Sequence, residues 1–552
     1  MRLIAPALFS TFLAAPFVSA LPKITRTGKY LYDESGTRFF IKGIAYQEPG
    51  ELPAEVPEGE FPEPTTFIDP LSQPSACDRD VPYLKQLGVN AVRVYSVDAS
   101  ADHSHCMSVL SQAGIYTLID LSLPVNGSIT RQGATWTSNL LTLYLNTIDT
   151  FTQYDNVLAF NIGNEIVKDT ESTAAAPFIK AAARDIKAYL KSKGSSALVG
   201  YSSTDGTGWR NPLAHFLTCG SEETSIDLWG LNDYRWCGTT GSVADSWQES
   251  ITAFTDLPVA AYFSEYGCNT VSPRPWAEVS ALYGAEMSTV YSGGVAFSYF
   301  PTNDPTSFGM VTVTDTAVTT SQDFTNLASQ LSSVTVPTTP SQGSAGNPSL
   351  PACPSVSAEW LGSTTLPPTP NQAECDCIWK SSPCVFSPQT VNQSALFEGL
   401  FQSACTYLGT SGGSCTPIGQ NGTTGVYGDV SSCDGASKLT WVFSQYYLAT
   451  NNNAQSCDFA GNATVNSASP TTASDVNAAV SACFAATPSV YTPVKPSTVI
   501  APGGHNTGTS SSGGNGGGGN SGGATSIFAD ARALVGVTVA ALCVLGSGAL
   551  VF

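Results

Sequence analysis

The stretch "NVLAFNIGNE", residues 156–165, is apolar through most of its length and then ends on a polar pair, Asn164 and Glu165. A near-continuous apolar run of this length reads as a strand buried on both faces, the kind found in parallel sheets covered by helices. Seven further runs have the same character: "RFFIKGIAYQ" (38–47), "VNAVRVYSVD" (89–98), "IYTLIDLS" (115–122), "ALVGYSSTD" (197–205), "DLWGLNDYRW" (227–236), "VAAYFSEYG" (259–267) and "GGVAFSYFP" (293–301). Helix-like stretches separate several of them, among them "RDVPYLKQLG" from Arg79 and "AAPFIKAAARDIKAYLKSKG" before Ser195. Eight such units within about 310 residues predict an α/β fold, a (β/α)8 barrel over residues 21–330.

Near the C-terminal ends of these runs stand Gln47, Tyr95, Asp120, Asn164 with Glu165, Asp205, Tyr234, Glu265 and Tyr299. In a barrel those ends converge on one mouth, where the active sites of this architecture lie. A lone Glu after an apolar run is often a helix-start residue or half of a solvated ion pair. Eight runs that all end in hydrogen-bonding or aromatic groups are hard to explain by packing. Glu165 closes the fourth run and Glu265 lies in the seventh, so the barrel sets two carboxylates across one cleft. That pair is what cleavage of a glycosidic bond requires, one group to protonate the leaving oxygen and one to attack or to activate water.

Composition narrows the partner. Of 552 residues only 12% are charged, and the formal net charge is -20. Such a surface repels phosphate backbones and anionic headgroups, which argues against nucleic acid and leaves a neutral polymer unpenalised. With four His and no Cys/His set at finger-like spacing, the sequence calls for no metal, and the carboxylate pair needs no cofactor.

The two ends of the chain read as addresses. Residues 1–20 carry a basic Arg2, an apolar run and a small-residue end, the form of a cleaved signal peptide. Residues 525–552 end in the uncharged run "ALVGVTVAALCVLGSGALVF", preceded by small residues, the layout of a removable glycosylphosphatidylinositol-anchor signal with its attachment residue within Asn520 to Ala524. The expectation is a secreted protein held at the outer face of the plasma membrane, with the cell wall as a further location. Fifteen cysteines, one of them in the removable tail, leave fourteen for disulfides in an oxidising compartment. Sequons at Asn126, Asn392, Asn421 and Asn462 are candidate glycosylation sites. Residues 331–374 read as a Pro/Ser/Thr-rich linker, 375–490 as a small domain with eight cysteines, and 491–524 as a Gly/Ser-rich tether.

"NIGNEIV" around Glu165, "YFSEYGC" around Glu265, "YSVD" after Arg93, "NDYRWCG" after Leu231 and the eight-cysteine domain together resemble the fungal β-1,3-glucanosyltransferases of glycoside hydrolase family 72. The cysteine-rich part is similar to the X8 module, or carbohydrate-binding module family 43, of one subgroup. The resemblance implies a retaining transferase that cuts β-1,3-glucan internally and joins the retained piece to the non-reducing end of another chain. It implies Glu265 as nucleophile and Glu165 as proton donor and then base. It implies substrate contacts at Gln47, Tyr95, Asp120, Ser122, Asn164, Asp205, Arg210, Tyr234 and Tyr299, with Asn164 on the sugar 2-hydroxyl, Tyr234 orienting Glu265 and residues 122–130 lining the cleft.

The cysteine pairing is open on spacing alone. The resemblance implies Cys77–Cys106, Cys237–Cys268, Cys219–Cys353, Cys375–Cys433, Cys377–Cys483, Cys384–Cys457 and Cys405–Cys415. Phe308 departs from the pattern, standing where a Tyr is expected, and the acidic, Pro-rich loop after Gln47 leaves the first part of the cleft undefined. A β-1,3-glucan hydrolase would use the same carboxylates, and a non-enzymatic glucan-binding wall protein would not need them. The aromatics of the second domain, Trp379, Tyr407, Tyr427, Trp441, Phe443, Tyr446 and Tyr447, could stack on sugar or serve as core.

Overall fold

The computed structural model describes residues 21–51, 64–124, 127–302, 308–388, 394–484 and 488–496. The expected signal and anchor segments, most of the tether, Asn126 and Asn392 lie outside them. Eight parallel strands close a barrel: β1 (Ile41–Ala45), β2 (Ala91–Val94), β3 (Tyr116–Asp120), β4 (Val157–Asn164), β5 (Leu198–Thr204), β6 (Leu228–Asp233), β7 (Ala260–Tyr266) and β8 (Tyr291–Ala296). Each strand pairs with its neighbour in sequence, and β8 returns to β1 with Gly293 opposite Ile41. Seven predicted runs each contain one barrel strand, and the eighth overlaps β8, which begins two residues before it at Tyr291. The first run also holds Arg38–Phe39, which joins Thr25–Thr27 and Tyr30–Tyr32 in a small antiparallel sheet outside the barrel.

That sheet closes the end opposite the site. Ile24 and Leu31 pack with Ile41, Ala91, Leu158, Leu198, Leu228 and Ala260, residues at the starts of the barrel strands. Above this apolar layer the barrel carries polar side chains, which need room. A β-carbon on Gly200 would meet Asn161 Oδ1 at 2.5 Å, and one on Gly230 would meet the Ser264 side chain at 2.7 Å. Both glycines therefore give space to the buried polar groups that support the site.

The helix Ala176–Ser192 after β4 shows how local sequence sets the outer layer. Pro177 sits in its first turn, where the missing N–H costs nothing, and Gly194 ends it at φ +69°. Its Ala181, Ala182, Ile186 and Leu190 face the core.

After the last barrel helix, Gln322–Ser333, the chain does not swing free. Gly220 N–H donates to Pro351 O at 3.0 Å, Trp360 packs on Phe216 at 5.2 Å, and Thr369 Oγ1 donates to the buried Asp185 at 2.7 Å. The linker is thus laid along the barrel and delivers a small domain of four helices, Gln372–Ser381, Ser394–Thr410, Gly435–Ala449 and Ala473–Phe484. Seven disulfides close in the structure, each joining a pair implied by the resemblance. Four of them lie within the small domain, where each constrains the unfolded chain.

The aromatics of this domain divide by location. Trp441, Phe443 and Tyr447 are buried in its core, with Trp379 and Tyr446 packed against it. Tyr427 meets Phe178 of the barrel edge-on at 5.9 Å. Tyr407 is exposed, resting on Tyr446 at 5.6 Å.

Candidate active site

Glu265 lies inside β7 and is 8% exposed, yet three side chains serve its carboxylate. Tyr234 Oη donates to Oε2 at 2.7 Å, Tyr95 Oη to Oε1 at 2.8 Å, and Arg93 Nη1 to Oε1 at 3.3 Å. Burial pushes the Glu265 carboxyl up to about 7. Arg93 and the two phenols pull the other way, and the Glu165 charge adds to the push. Burial, and after it the Glu265 charge, holds the Tyr234 hydroxyl well above its ordinary range, so it stays a donor.

Arg93 is the hub. It is fully buried in β2 and reaches Asp120 Oδ2 at 2.7 Å, Asn164 Oδ1 at 3.0 Å and the Ser264 carbonyl at 3.1 Å besides Glu265. Burial disfavours its charge, but Asp120, Tyr95 and Glu265 more than offset this and hold it well above its ordinary range. Sequence reasoning passed over this residue. The signal was present, because a charged side chain inside a strand buried on both faces requires a buried counter-charge.

Glu165 follows β4 directly and adopts φ +51°, a left-handed conformation uncommon for a residue with a side chain. Its N–H donates to Ser202 O at 2.8 Å, and its Oε1 accepts from Asn232 Nδ2 at 2.7 Å. Asn232 was also missed. Its amide orientation is set by Ser264 Oγ, which donates to Oδ1 at 2.7 Å, so Nδ2 is the edge facing Glu165. Asn232 Nδ2 also donates to Asn164 Oδ1, which accepts from Arg93, and Arg93 donates to Glu265, so one hydrogen-bonded chain joins the two carboxylates. Asn164 Oδ1 accepts from both Arg93 and Asn232, which leaves its Nδ2 edge for another partner.

The remaining candidate contacts divide. Gln47 is half-buried and ties the chain after β2, accepting from Tyr95 N–H at 3.1 Å and Ser96 N–H at 3.0 Å and donating to Ile68 O at 2.6 Å. Ser122, half-buried, follows β3 at the start of its segment. Asp205 pairs with Arg210 and, at 3.0 Å, with Arg235. Three candidate contacts are buried and held by other side chains. Asp120 is 1% exposed and spends both oxygens on Arg93 and Asn161, so it anchors Arg93. Tyr299 is 0% exposed, its ring against Tyr46 and its hydroxyl 3.3 Å from Asp80, so it lies behind the site. Arg210, 2% exposed and held by Asp205 and Glu249, is likewise a brace.

Beside Glu265 stands an aromatic wall. Phe297 lies 6.3 Å from both Tyr95 and Tyr234, and Phe308 lies 5.6 Å from Tyr234. Arg274, buried, donates to the carbonyls of Phe297 and Phe308 at 2.6 Å each and fixes that wall from outside. Of the sequons, Asn421 is exposed, and Asn462 is half-buried with its Nδ2 donating to Phe459 O at 2.9 Å. Among the described residues no group of His, Cys, Asp and Glu is arranged to hold a metal.

Two carboxylates at the C-terminal ends of β4 and β7, one with three donors and one with a neutral amide, are the parts of a double displacement. A sequence profile of the glucanosyltransferase family (glycoside hydrolase family 72) matches residues 14–335, and one of the X8 domain matches 382–464. The chain belongs to the glucanosyltransferase family. It is 40% identical over 449 residues to the 1,3-beta-glucanosyltransferase gas1 of Schizosaccharomyces pombe, covering 81% of this chain and 79% of the relative. It is 36% identical to the 1,3-beta-glucanosyltransferase GAS2 of Saccharomyces cerevisiae, covering 79% and 78%. Among solved structures, Gas2p of Saccharomyces cerevisiae in complex with laminaritetraose and laminaripentaose superposes with a TM-score of 0.72 at 35% identity, over 84% of this chain and 99% of that one.

Proposed function

We propose that this glucanosyltransferase-family enzyme is a retaining β-1,3-glucanosyltransferase that works through Glu265 and Glu165. The observation that carries the assignment of roles is the asymmetry of their partners. Arg93, Tyr95 and Tyr234 converge on Glu265 and seat one negative charge there, whereas Glu165 meets the neutral amide of Asn232. An ionised Glu265 attacks the anomeric carbon of a bound glucan, and the C1–O bond to the leaving segment breaks as Glu165 gives its proton to that oxygen. The product is a glycosyl ester on Glu265 and a carboxylate at Glu165.

In the second step Glu165 takes the proton from the 3-hydroxyl at the non-reducing end of another glucan. That oxygen attacks C1 and releases Glu265. Two inversions give net retention and a lengthened chain. The Nδ2 edge of Asn164, turned away from Arg93, is free to meet the sugar 2-hydroxyl. The phenols of Tyr95 and Tyr234 hold the nucleophile, and Phe297 and Phe308 offer apolar surface beside it. Relatives that bear the glucanosyltransferase name favour transfer over hydrolysis as the fate of the intermediate.

The enzyme is secreted and held by a glycosylphosphatidylinositol anchor at the outer face of the plasma membrane, where it elongates wall glucan; the apolar, small-residue ends of the chain support this. Incubating the secreted portion with a 2-fluoro-substituted glucan donor carrying a good leaving group tests the chemistry. Mass spectrometry of the digest is expected to place one glycosyl unit on the peptide containing Glu265. A label on another residue, or normal turnover in Glu165→Gln or Glu265→Gln, would overturn the assignment.

A further inference from the structure

Glu165 keeps its left-handed backbone because its surroundings hold it there. Part of that hold is Arg131, whose guanidinium straddles the turn: Nη2 donates to the Glu165 carbonyl at 2.9 Å and Nε to the Ile166 carbonyl at 3.2 Å. Arg131 begins a short segment without regular structure that ends at the helix Ser138–Phe151. Such a segment is only as fixed as its anchors.

The anchors lie in the cysteine-rich domain. Gln420 brackets the backbone of Trp136, accepting from its N–H at 3.3 Å and donating to its carbonyl at 3.4 Å, and also donates to Ser431 O. The helix start at Ser138 has no side-chain cap, and the Ser138 N–H donates instead to Ser432 O at 2.9 Å. The first N–H groups of a helix lack partners within the helix, so a carbonyl from another domain is a fitting cap. Cys433, next to these carbonyls, is bonded to Cys375. Below them the Trp136 indole, fully buried, donates to Asp185 at 2.7 Å, the same carboxylate that receives Thr369 of the linker.

We propose that the cysteine-rich domain positions the acid/base carboxylate: Gln420 and Ser432 fix residues 136–138, and Arg131 at the other end of that segment fixes the backbone of Glu165. This rests on Glu165 being the acid/base. Arg131 and Gln420 act here through backbone hydrogen bonds and are positioning residues. A domain present only to bind polymer would act on the affinity for long glucan, whereas a strut acts on the chemical step.

The test measures kcat and KM for transfer from a short linear β-1,3-gluco-oligosaccharide, with the full secreted chain as wild type, Arg131→Ala, Gln420→Ala, the double variant and Glu165→Gln. Because a small misplacement of a catalytic group costs rate steeply, Arg131→Ala is expected to lower kcat about tenfold and Gln420→Ala about threefold, with KM within about twofold. The double variant is expected to be no worse than Arg131→Ala, since both act through one element. Arg131→Lys, which keeps the charge without the forked pair of bonds, is the milder second variant and is expected to fall in between. Wild-type kcat in Arg131→Ala and Arg131→Lys, or losses that multiply in the double variant, would overturn the proposal. Turnover in Glu165→Gln would instead show that the acid/base assignment is at fault.

Discussion

Replacing Tyr234 by Phe removes one hydroxyl and leaves the ring, which packs on Phe297 and Phe308. The lost bond, 2.7 Å to Glu265 Oε2, joins a neutral donor to a carboxylate that is 8% exposed. A hydrogen bond to a charged group contributes about 1.5–3 kcal/mol, and one pKa unit corresponds to about 1.4 kcal/mol. The bond favours the ionised form, so its loss raises the Glu265 carboxyl further by about one unit or somewhat more. Nucleophilic attack needs the carboxylate, so the ascending limb of kcat/KM against pH moves to higher pH by that amount. At a fixed pH on that limb the rate falls about tenfold. Tyr95→Phe, which removes the 2.8 Å bond to Oε1, is expected to shift the limb in the same direction. Initial rates across pH for the three proteins, with melting temperatures to confirm folding, check this. Limbs that coincide while the maximum rate alone drops would mean that the phenols serve the sugar and not Glu265.

Two further outcomes concern stability. Glu278 is 5% exposed, and burial raises its carboxyl to about 7, so between about 4.5 and 7 the folded protein binds more protons than the unfolded chain. Its contribution is present at pH 4 and lost as pH rises through 7. Glu278→Gln is therefore expected to raise stability at pH 8 by about 2–3 kcal/mol and to leave it unchanged at pH 4, as read from melting at both values. Cys219–Cys353 closes a separation of 134 residues, and replacing both cysteines by Ser is expected to cost about 3–5 kcal/mol in denaturant unfolding. The linker contacts at Trp360 and Thr369 remain, so a non-reduced peptide map is expected to show the other six bridges unchanged.

The barrel was legible because parallel strands covered on both sides leave long apolar runs that end abruptly, and Glu165 sits at one of those ends. That the site holds two carboxylates was legible for the same reason. What a run does not reveal is where a polar side chain near its end points. Asp120 and Tyr299 look alike in sequence as strand-end polar groups, yet one turns onto Arg93 and the other onto Asp80, 219 positions away in the chain. Asn232 gives no local sign, since its task depends on Ser264 and Glu165 arriving from two other strands. Composition alone suggested a loose linker. Three contacts to the barrel, at Pro351, Trp360 and Thr369, outweigh the Pro/Ser/Thr character of the segment and fix it.

Whether sugar or water captures the intermediate at Glu265 decides between transfer and hydrolysis. The most direct measurement takes the secreted portion with a single linear β-1,3-gluco-oligosaccharide and follows product lengths at early times. Products longer than the starting chain, formed together with the matching shorter ones, are the predicted result. Only shorter products would show that water reaches the glycosyl ester first and that the enzyme is a hydrolase.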